Sequence, residues 1–454
     1  MDKLTQEVVP ILLLIVAIAI VVSRLPKVDL GHTAEFKHRR LLNWVPLGLT
    51  YAFLYMGRYN LNALKDQNFI TGKEFGDIDA IGAITYGFAF LINGPLCDRL
   101  GGRFTMLLAA AGAAAANGAI GIMMLSNHTV PSVTTLLVLN AVNMYFQSFG
   151  AVSIVKVNAS WFHLRERGTF GGIFGILISL GLYLAYDWAP KLVVLFGPDE
   201  TRTRDHTGSL PVLFIGPAIL IALSFFASYV FVRDTPKDAG LGDFDVADAS
   251  SGDDGPPDPA WFTIKRLLSS RIILTIALIS GCSGFLRQGI LKWFRTFASG
   301  VGLKHGFIVD HWGMVSCVAG ILGGVFAGVI SDHLFNSRRP PVAVMLLGLL
   351  LLGSIAIIPA LAAPVAVSVI IAFMAMCVIG VHGMLSGVAS QDFGGRRNAG
   401  TATGLIDGFV YFGTALQAFI YGHILPENKL LVAGKMVDNP AASDISNWYG
   451  WPIA

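Results

Sequence analysis

Long apolar runs, each followed by a short stretch of polar and charged residues, repeat along most of the chain. A run of about 17–25 mainly apolar residues can cross the hydrocarbon layer of a membrane as a helix. The pattern predicts an all-α membrane protein. The predicted spans are 42–60, 78–97, 104–125, 132–155, 168–190, 210–232, 272–294, 308–331, 341–361, 364–390 and 399–424.

A shorter apolar run, Val8–Ser23, precedes this series. A signal peptide would carry a basic flank before its apolar part and a small-residue cleavage site after it, and neither is present. The basic residues follow the run instead, beginning with Arg24 and Lys27. We therefore expect an uncleaved extra N-terminal helix with its N-terminus outside.

Basic residues cluster in alternate loops between the predicted spans. Because cytoplasmic loops carry an excess of Lys and Arg, these loops are predicted to face the cytoplasm. The pairs are Arg99 and Arg103, Arg165 and Arg167, Lys265 and Arg266, Arg338 and Arg339, and Arg396 and Arg397.

Residues 234–260 interrupt the membrane pattern with Asp, Gly and Pro. A segment with so few apolar residues favours a flexible cytoplasmic linker, and an acidic regulatory segment is the alternative. Gly450–Ala454 resembles the start of a twelfth span, so we expect a truncated last helix, with an eleven-helix core as the alternative. The predicted units are an anchor and linker at 1–41, a first bundle at 42–232, a linker at 233–270 and a second bundle at 271–454.

The amino-acid composition excludes several classes of function. Only 13% of residues are charged and the net charge is +3, which favours membrane lipid as the surroundings and argues against nucleic-acid binding. The four cysteines have no paired spacing, so neither a disulfide framework nor a metal site is expected. No Walker-type sequence and no catalytic cluster is evident, so we expect no cofactor and no enzyme.

Two arginines interrupt otherwise apolar spans, Arg58 in the first half and Arg287 in the second. A guanidinium in the hydrocarbon layer is costly unless it faces a cavity or a partner. A planar guanidinium group can form bidentate hydrogen bonds with two phosphate oxygens, whereas a lysine ammonium group cannot. Arg58 and Arg287 thus predict an anion site halfway across the membrane; snorkelling or a structural salt bridge is the alternative.

The segment Gly94–Arg103 matches the signature of the major facilitator superfamily, and Gly328–Arg339 repeats it in the second half. The resemblance implies a major facilitator fold, with two pseudo-symmetric bundles around a central site. An acid at a helix end can bind arginine and the N-terminus of a neighbouring helix. The residues expected to gate the cytoplasmic end are Asp98, Arg99, Arg103 and Asp332.

Four further strings resemble the organophosphate:phosphate antiporter family, especially its glycerol-3-phosphate carriers, over residues 42–424. In that family one arginine on the first helix and one on the seventh bind phosphate, which implies these roles for Arg58 and Arg287. The strings are Trp161–Gly168, Arg233–Leu241, Leu286–Trp293 and Ala399–Gly404.

Tyr51, Tyr55 and Arg58 share one helix face by their spacing, and both tyrosines match positions of the family's cavity. Tyr86 and Tyr411 match further aromatic positions of that cavity. Asp407 lies four residues before Tyr411, and an intramembrane carboxylate predicts a functional site. It is expected to pair with Arg287 or Lys292, contact substrate or carry a coupling proton; a structural salt bridge is the alternative.

The chain also departs from the family pattern. Ile178 stands where the carriers have a histidine, Phe90 where they have a lysine and Cys317 where an acid is expected. These changes predict that phosphate recognition is retained while the organic part of the substrate differs from glycerol-3-phosphate.

The function expected from this resemblance is secondary active transport of a phosphorylated small metabolite, in exchange for inorganic phosphate, by a monomer of the bacterial inner membrane. Two alternatives are a transporter-like sensor of sugar phosphate and a proton-coupled carrier of another organic anion. A sensor would bind its ligand with little flux, and a proton-coupled carrier would respond to a pH gradient.

Overall fold

The computed structural model describes residues 31–163, 167–197, 206–242, 246, 259–303, 305–335, 339–384, 389–432 and 435–454. The predicted anchor helix at Val8–Ser23 lies outside the described residues, as does most of the linker between 243 and 258.

Helices dominate the part of the chain before residue 233. They are α1 Ala34–Asp66, α2 Gly72–Leu100, α3 Gly102–Asn127, α4 Val133–Trp161, α5 Arg167–Tyr183, α6 Ala189–Leu195 and α7 Val212–Phe231. A π-helical stretch, Leu184–Trp188, joins α5 to α6. Thr33, Thr71 and Ser132 cap α1, α2 and α4 by accepting backbone N–H bonds, and Glu74 completes a capping box at Thr71.

The second part follows a 3₁₀ turn at Lys237–Ala239. Its helices are α8 Ala260–Ser269, α9 Arg271–Gly300, α10 Phe307–Asp310, α11 Trp312–Leu334, α12 Arg339–Ala360, α13 Pro364–His382 and α14 Ala389–Ile424. A helix lies at each predicted span, with ends shifted by a few residues in most cases. The largest shift is at 399–424, where α14 begins at Ala389, and α13 ends at His382 instead of residue 390.

Nine helical segments among the described residues are long and apolar enough to cross a membrane. Helix α1 is absent from that set because it carries several buried polar side chains, Arg58 among them. The mainly helical architecture and its membrane-spanning character are confirmed.

The two halves meet mainly along two pairs of helices, and α4 also packs against α14. Helix α2 packs against α14, and α5 packs against α11. The α2–α14 contact is close because both helices carry glycines there: a Cβ on Gly94 would lie 2.6 Å from the carbonyl oxygen of Gly400. The central site lies between these pairs.

After α14 the chain forms an antiparallel hairpin that the hydropathy pattern did not predict, β1 Lys429–Val432 with β2 Lys435–Asp438. Short 3₁₀ turns at Pro440–Ser443 and Ile445–Trp448 lead to α15, Gly450–Ile453. The Trp451 indole donates to the carbonyl of Gly289, which places this segment against α9. Truncation at this end stays a prediction.

Candidate functional site

Arg58 lies in the C-terminal half of α1 and is 7% exposed. Its Nε donates to Oε1 of Gln147 at 2.8 Å, and its Nη2 donates to the Tyr86 hydroxyl at 2.9 Å. Its Nη1 donates to the Tyr411 hydroxyl at 2.5 Å. The guanidinium carbon also lies 4.4 Å from the ring centre of Tyr55, close enough for a cation–π contact. Acceptors from α2, α4 and α14 thus hold one buried guanidinium.

A chain of amides on α4 and its neighbours supports Arg58 from behind. Gln147 donates to Asn143 at 2.9 Å, and Asn143 donates to the backbone carbonyl of Gly57 at 3.1 Å. Asn117 donates to Asn143 and accepts from Asn60. The sequence reasoning missed this network. The available signal was the spacing of Asn143 and Gln147, four residues apart in an apolar helix.

Arg287, on α9, is 3% exposed. Its Nε has no hydrogen-bond partner among the described residues. Tyr55, Tyr59 and Asp407 lie within electrostatic range of its guanidinium. A buried N–H without an acceptor costs about 1–3 kcal/mol, so this donor is expected to bind an oxygen atom beyond those of the described residues.

A narrow cavity lies between the bundles, with a volume of about 10 Å³, roughly that of one water molecule. Arg287 lines it, whereas Arg58 is reached through Tyr86 and Tyr411, which do line it. The described residues that line it are Tyr51, Tyr55, Tyr86, Phe90, Ala151, Arg287, His382, Asp407 and Tyr411. The predicted binding residues are therefore brought together, with Arg58 one layer behind the wall.

Aromatic contacts connect the two bundles across this cavity. The rings of Tyr86 and Tyr411 stack with their centres 3.9 Å apart. Tyr51 and Tyr55 meet edge to face at 5.2 Å. Phe90, at the family's lysine position, packs against Tyr86 and Tyr411 and leaves that part of the wall apolar.

Asp407 is 8% exposed and lies in the cavity wall on α14. It lies within electrostatic range of Tyr86 and Arg287. Lys292, one of its two predicted partners, instead binds both carboxylate oxygens of Asp79 at 2.6 and 2.7 Å. This ion pair joins α9 to α2, and sequence reasoning did not anticipate it.

The end of the molecule that the loop charges predict to be cytoplasmic is held by Asp98, at the end of α2. Its carboxylate accepts the backbone N–H of Gly400 at 3.0 Å and that of Thr401 at 2.8 Å. The Thr401 hydroxyl donates to it at 2.7 Å, and Lys156 pairs with it at 2.9 Å. One carboxylate thus connects the two bundles at this end.

The other predicted gating residues differ from Asp98. Arg99 is exposed and forms no ion pair within the described part of the chain. Arg103 donates from Nη2 to the Tyr229 carbonyl at 2.7 Å, inside the first bundle. Its backbone N–H donates to the half-buried Asp234, whose carboxyl pKa is raised by desolvation. The side chain of Asp332 lies outside the described residues.

The opposite end is held by Asp187, in the π-helical stretch. Its carboxylate accepts the N–H groups of Gly313 at 2.9 Å and Met314 at 2.8 Å, in the first turn of α11. Arg295 donates to the same carboxylate at 3.1 Å. An anion at a helix N-terminus is favoured by the helix dipole. Asp98 also accepts backbone N–H groups of the second bundle, but Gly400 and Thr401 lie inside α14 and not at its start.

Two helical bundles around a central site with buried arginines define the class of a membrane transporter. The chain belongs to the Major Facilitator Superfamily, whose family model matches residues 47–418. This membership makes it a multi-pass membrane protein of a transporter family and not an enzyme.

Named relatives agree with the motifs. The chain is 26% identical over 419 residues to the glycerol-3-phosphate transporter of Bacillus subtilis, covering 86% of this chain and 87% of the relative. It is 25% identical over 423 residues to the membrane sensor protein UhpC of Salmonella typhimurium, covering 86% and 87%. The resemblance to the organophosphate family is confirmed.

A solved structure gives the same fold. A bacterial homologue of the human lysosomal transporter Spinster, in an inward-facing conformation, superposes with a TM-score of 0.62 at 15% identity. The match covers 87% of this chain and 83% of that one. At this identity the likeness establishes the fold alone.

Proposed function

We propose that this protein is a secondary active transporter of a phosphorylated small metabolite, of the glycerol-3-phosphate or sugar-phosphate class, exchanged for inorganic phosphate. The observation that carries the proposal is the buried Nε of Arg287, which has no acceptor among the described residues, in a cavity whose tyrosines bind Arg58. The names of the relatives support the same class of substrate.

The phosphate group would contact Arg287 directly and Arg58 through an exchange of acceptors. Tyr86 and Tyr411 now present hydroxyl oxygens to Arg58, and a phosphate oxygen is a stronger, charged acceptor for the same N–H groups. Tyr51 and Tyr55 complete the wall on the α1 side. Asp407 would accept a hydrogen bond from a hydroxyl group of the organic part of the substrate.

Transport would proceed by alternating access between the two closed ends. The cavity volume of about 10 Å³ is far below that of an organophosphate, so the bundles must separate for substrate to enter. The hydrogen bonds of Asp98 at one end and those of Asp187 at the other would break in turn, so that one end opens while the other stays closed. Asp332, Arg99 and Arg103 would assist at the cytoplasmic end.

The test is exchange of labelled phosphate in proteoliposomes loaded with phosphate. Arg58→Lys and Arg287→Lys should each lower exchange by about 100-fold, because lysine loses bonds to a charged group worth roughly 1.5–3 kcal/mol each. Arg271→Lys is the matched control, since Arg271 is exposed at the start of α9, and it should exchange like wild type.

Normal exchange in both arginine variants would overturn the assignment of the site. No exchange in folded wild-type protein that still binds phosphate would instead support a sensor. The similarity to a membrane sensor protein favours that second candidate over any other.

A further inference from the structure

We infer that Asp407 couples substrate binding to proton uptake: its carboxylate takes up one proton from water as a dianionic phosphate group reaches Arg58 and Arg287. This inference rests on the proposed function and adds the proton to it. The argument depends on the charges that surround one small, buried cavity.

Among the described residues, the charged and titratable groups in and behind the wall of this cavity, apart from Asp407 itself, include groups on four elements. Helix α9 contributes Arg287, and α1 contributes Arg58, held behind Tyr86 and Tyr411. Helix α2 contributes the Tyr86 hydroxyl, and α13 contributes His382. With His382 neutral, two guanidiniums and one carboxylate leave one positive charge around the cavity.

In the described part of the helices packed against α14, several other charged groups are paired or exposed. On α2 and α9, Asp79 binds Lys292, and at the cytoplasmic end Lys156 of α4 binds Asp98. Lys265 and Arg266 of α8 are exposed. These pairs add no net charge at the cavity, so Asp407 sets its balance.

A dianion entering this cavity would leave one uncompensated negative charge if Asp407 stayed ionised. Burying an unpaired charge is costly, and two like charges in a low dielectric repel strongly. Protonation of Asp407 leaves two positive charges, which match the dianion. The neutral carboxyl can then donate its new hydrogen to a phosphate or hydroxyl oxygen.

His382 could also restore the balance by taking the proton itself. It is 8% exposed and within electrostatic range of Arg287, which disfavours a second cation at that place. Asp407 faces the same guanidinium with the opposite charge. The geometry therefore points to the carboxylate as the group that exchanges the proton.

Two measurements on purified protein in detergent test this, with inorganic phosphate as the probe at an alkaline pH where it is a dianion in solution. Calorimetry in buffers of different ionisation heat counts the protons taken up per phosphate bound. Infrared difference spectra detect the C=O stretch of a newly protonated carboxyl group. Wild type should take up about one proton and show the carboxyl band.

Asp407→Asn should bind phosphate without proton uptake and without the band. Its affinity at alkaline pH should be about ten-fold higher than that of wild type, equal to roughly 1.4 kcal/mol. Asp407→Glu should restore both signals, and His382→Gln should keep them. A monodisperse gel-filtration profile verifies that each variant is folded.

The outcomes separate this inference from the proposed function. Phosphate bound by wild type with no proton uptake, or with uptake unchanged in Asp407→Asn, overturns the inference and leaves the transporter intact. Uptake lost in His382→Gln but kept in Asp407→Asn overturns it in favour of the histidine. Folded wild type that binds no phosphate overturns the proposed function, and the inference with it.

Discussion

At Arg58, three helices supply the acceptors for one buried guanidinium, and one of those acceptors is an amide that sequence reasoning missed. Gln147 binds Nε and is itself oriented by Asn143. A buried donor that loses its acceptor carries the full cost of its lost hydration. Gln147 is therefore expected to position Arg58 and to stabilise the first bundle.

Replacing Gln147 with Leu should lower the free energy of unfolding by about 1–3 kcal/mol, because Nε of Arg58 stays buried without an acceptor. Thermal unfolding in detergent measures this. Gln417→Leu is a matched control: Gln417 is equally buried, and neither of its polar atoms has a partner among the described residues. That change should be neutral or stabilising. Equal losses in the two variants would contradict the role given to Gln147.

The functional residues that could be predicted from the sequence are those whose charge is rare inside an apolar span. Arg58, Arg287 and Asp407 are identifiable in the sequence because charges in apolar spans need a reason. The same criterion applied to Asp187 would have identified it inside the span 168–190. The partner of Lys292 was not predictable, because Asp79 and Asp407 lie on different helices and only the three-dimensional arrangement of the two bundles decides between them.

At the scale of elements, the two ends use the same device. A carboxylate of the first bundle accepts backbone N–H groups from a helix of the second, Asp98 from α14 and Asp187 from α11. The signature at Gly94–Arg103 made the first of these predictable. Nothing comparable marks the second, since its contacts arise where α5 meets α11.

Removing either carboxylate should shift the molecule toward opening at that end. A cysteine placed at Ala151, in the cavity wall, reports this through its labelling by a membrane-impermeant thiol reagent. Asp98→Ala should raise labelling from the cytoplasmic side by about ten-fold, and Asp187→Ala from the opposite side, since hydrogen bonds to a charged group contribute roughly 1.5–3 kcal/mol. Labelling that rises from the same side in both variants would show that the two contacts do not act as opposed gates.

At the scale of the molecule, the ion pair of Asp79 and Lys292 joins the two bundles inside the membrane. The hydropathy pattern predicted the two bundles and their order, and the resemblance predicted the fold. Neither could predict how the bundles contact each other, because such contacts depend on tilt and rotation of whole helices. Only the three-dimensional structure gives them.

Removing only one partner of this ion pair should strongly destabilise the folded protein. Asp79→Leu leaves a buried ammonium without its partner, at a cost of about 3–5 kcal/mol. Replacing both Asp79 and Lys292 with Leu should return the stability to within about 1 kcal/mol of wild type, because no charge then remains buried. Midpoints of thermal unfolding for the four members of this cycle measure both values. A double variant no more stable than Asp79→Leu would show that the pair contributes more than mutual neutralisation.

The π-helical stretch Leu184–Trp188 changes the number of residues that this part of the span can hold. A π-turn holds one residue more than an α-turn. One extra residue can therefore be held in this stretch while the helix on either side keeps nearly the same facing. Asp187 lies within the stretch and binds the first turn of α11. The contact at this end thus depends on a local widening of one helix, which deleting a single residue would remove while the flanking helices kept their facing.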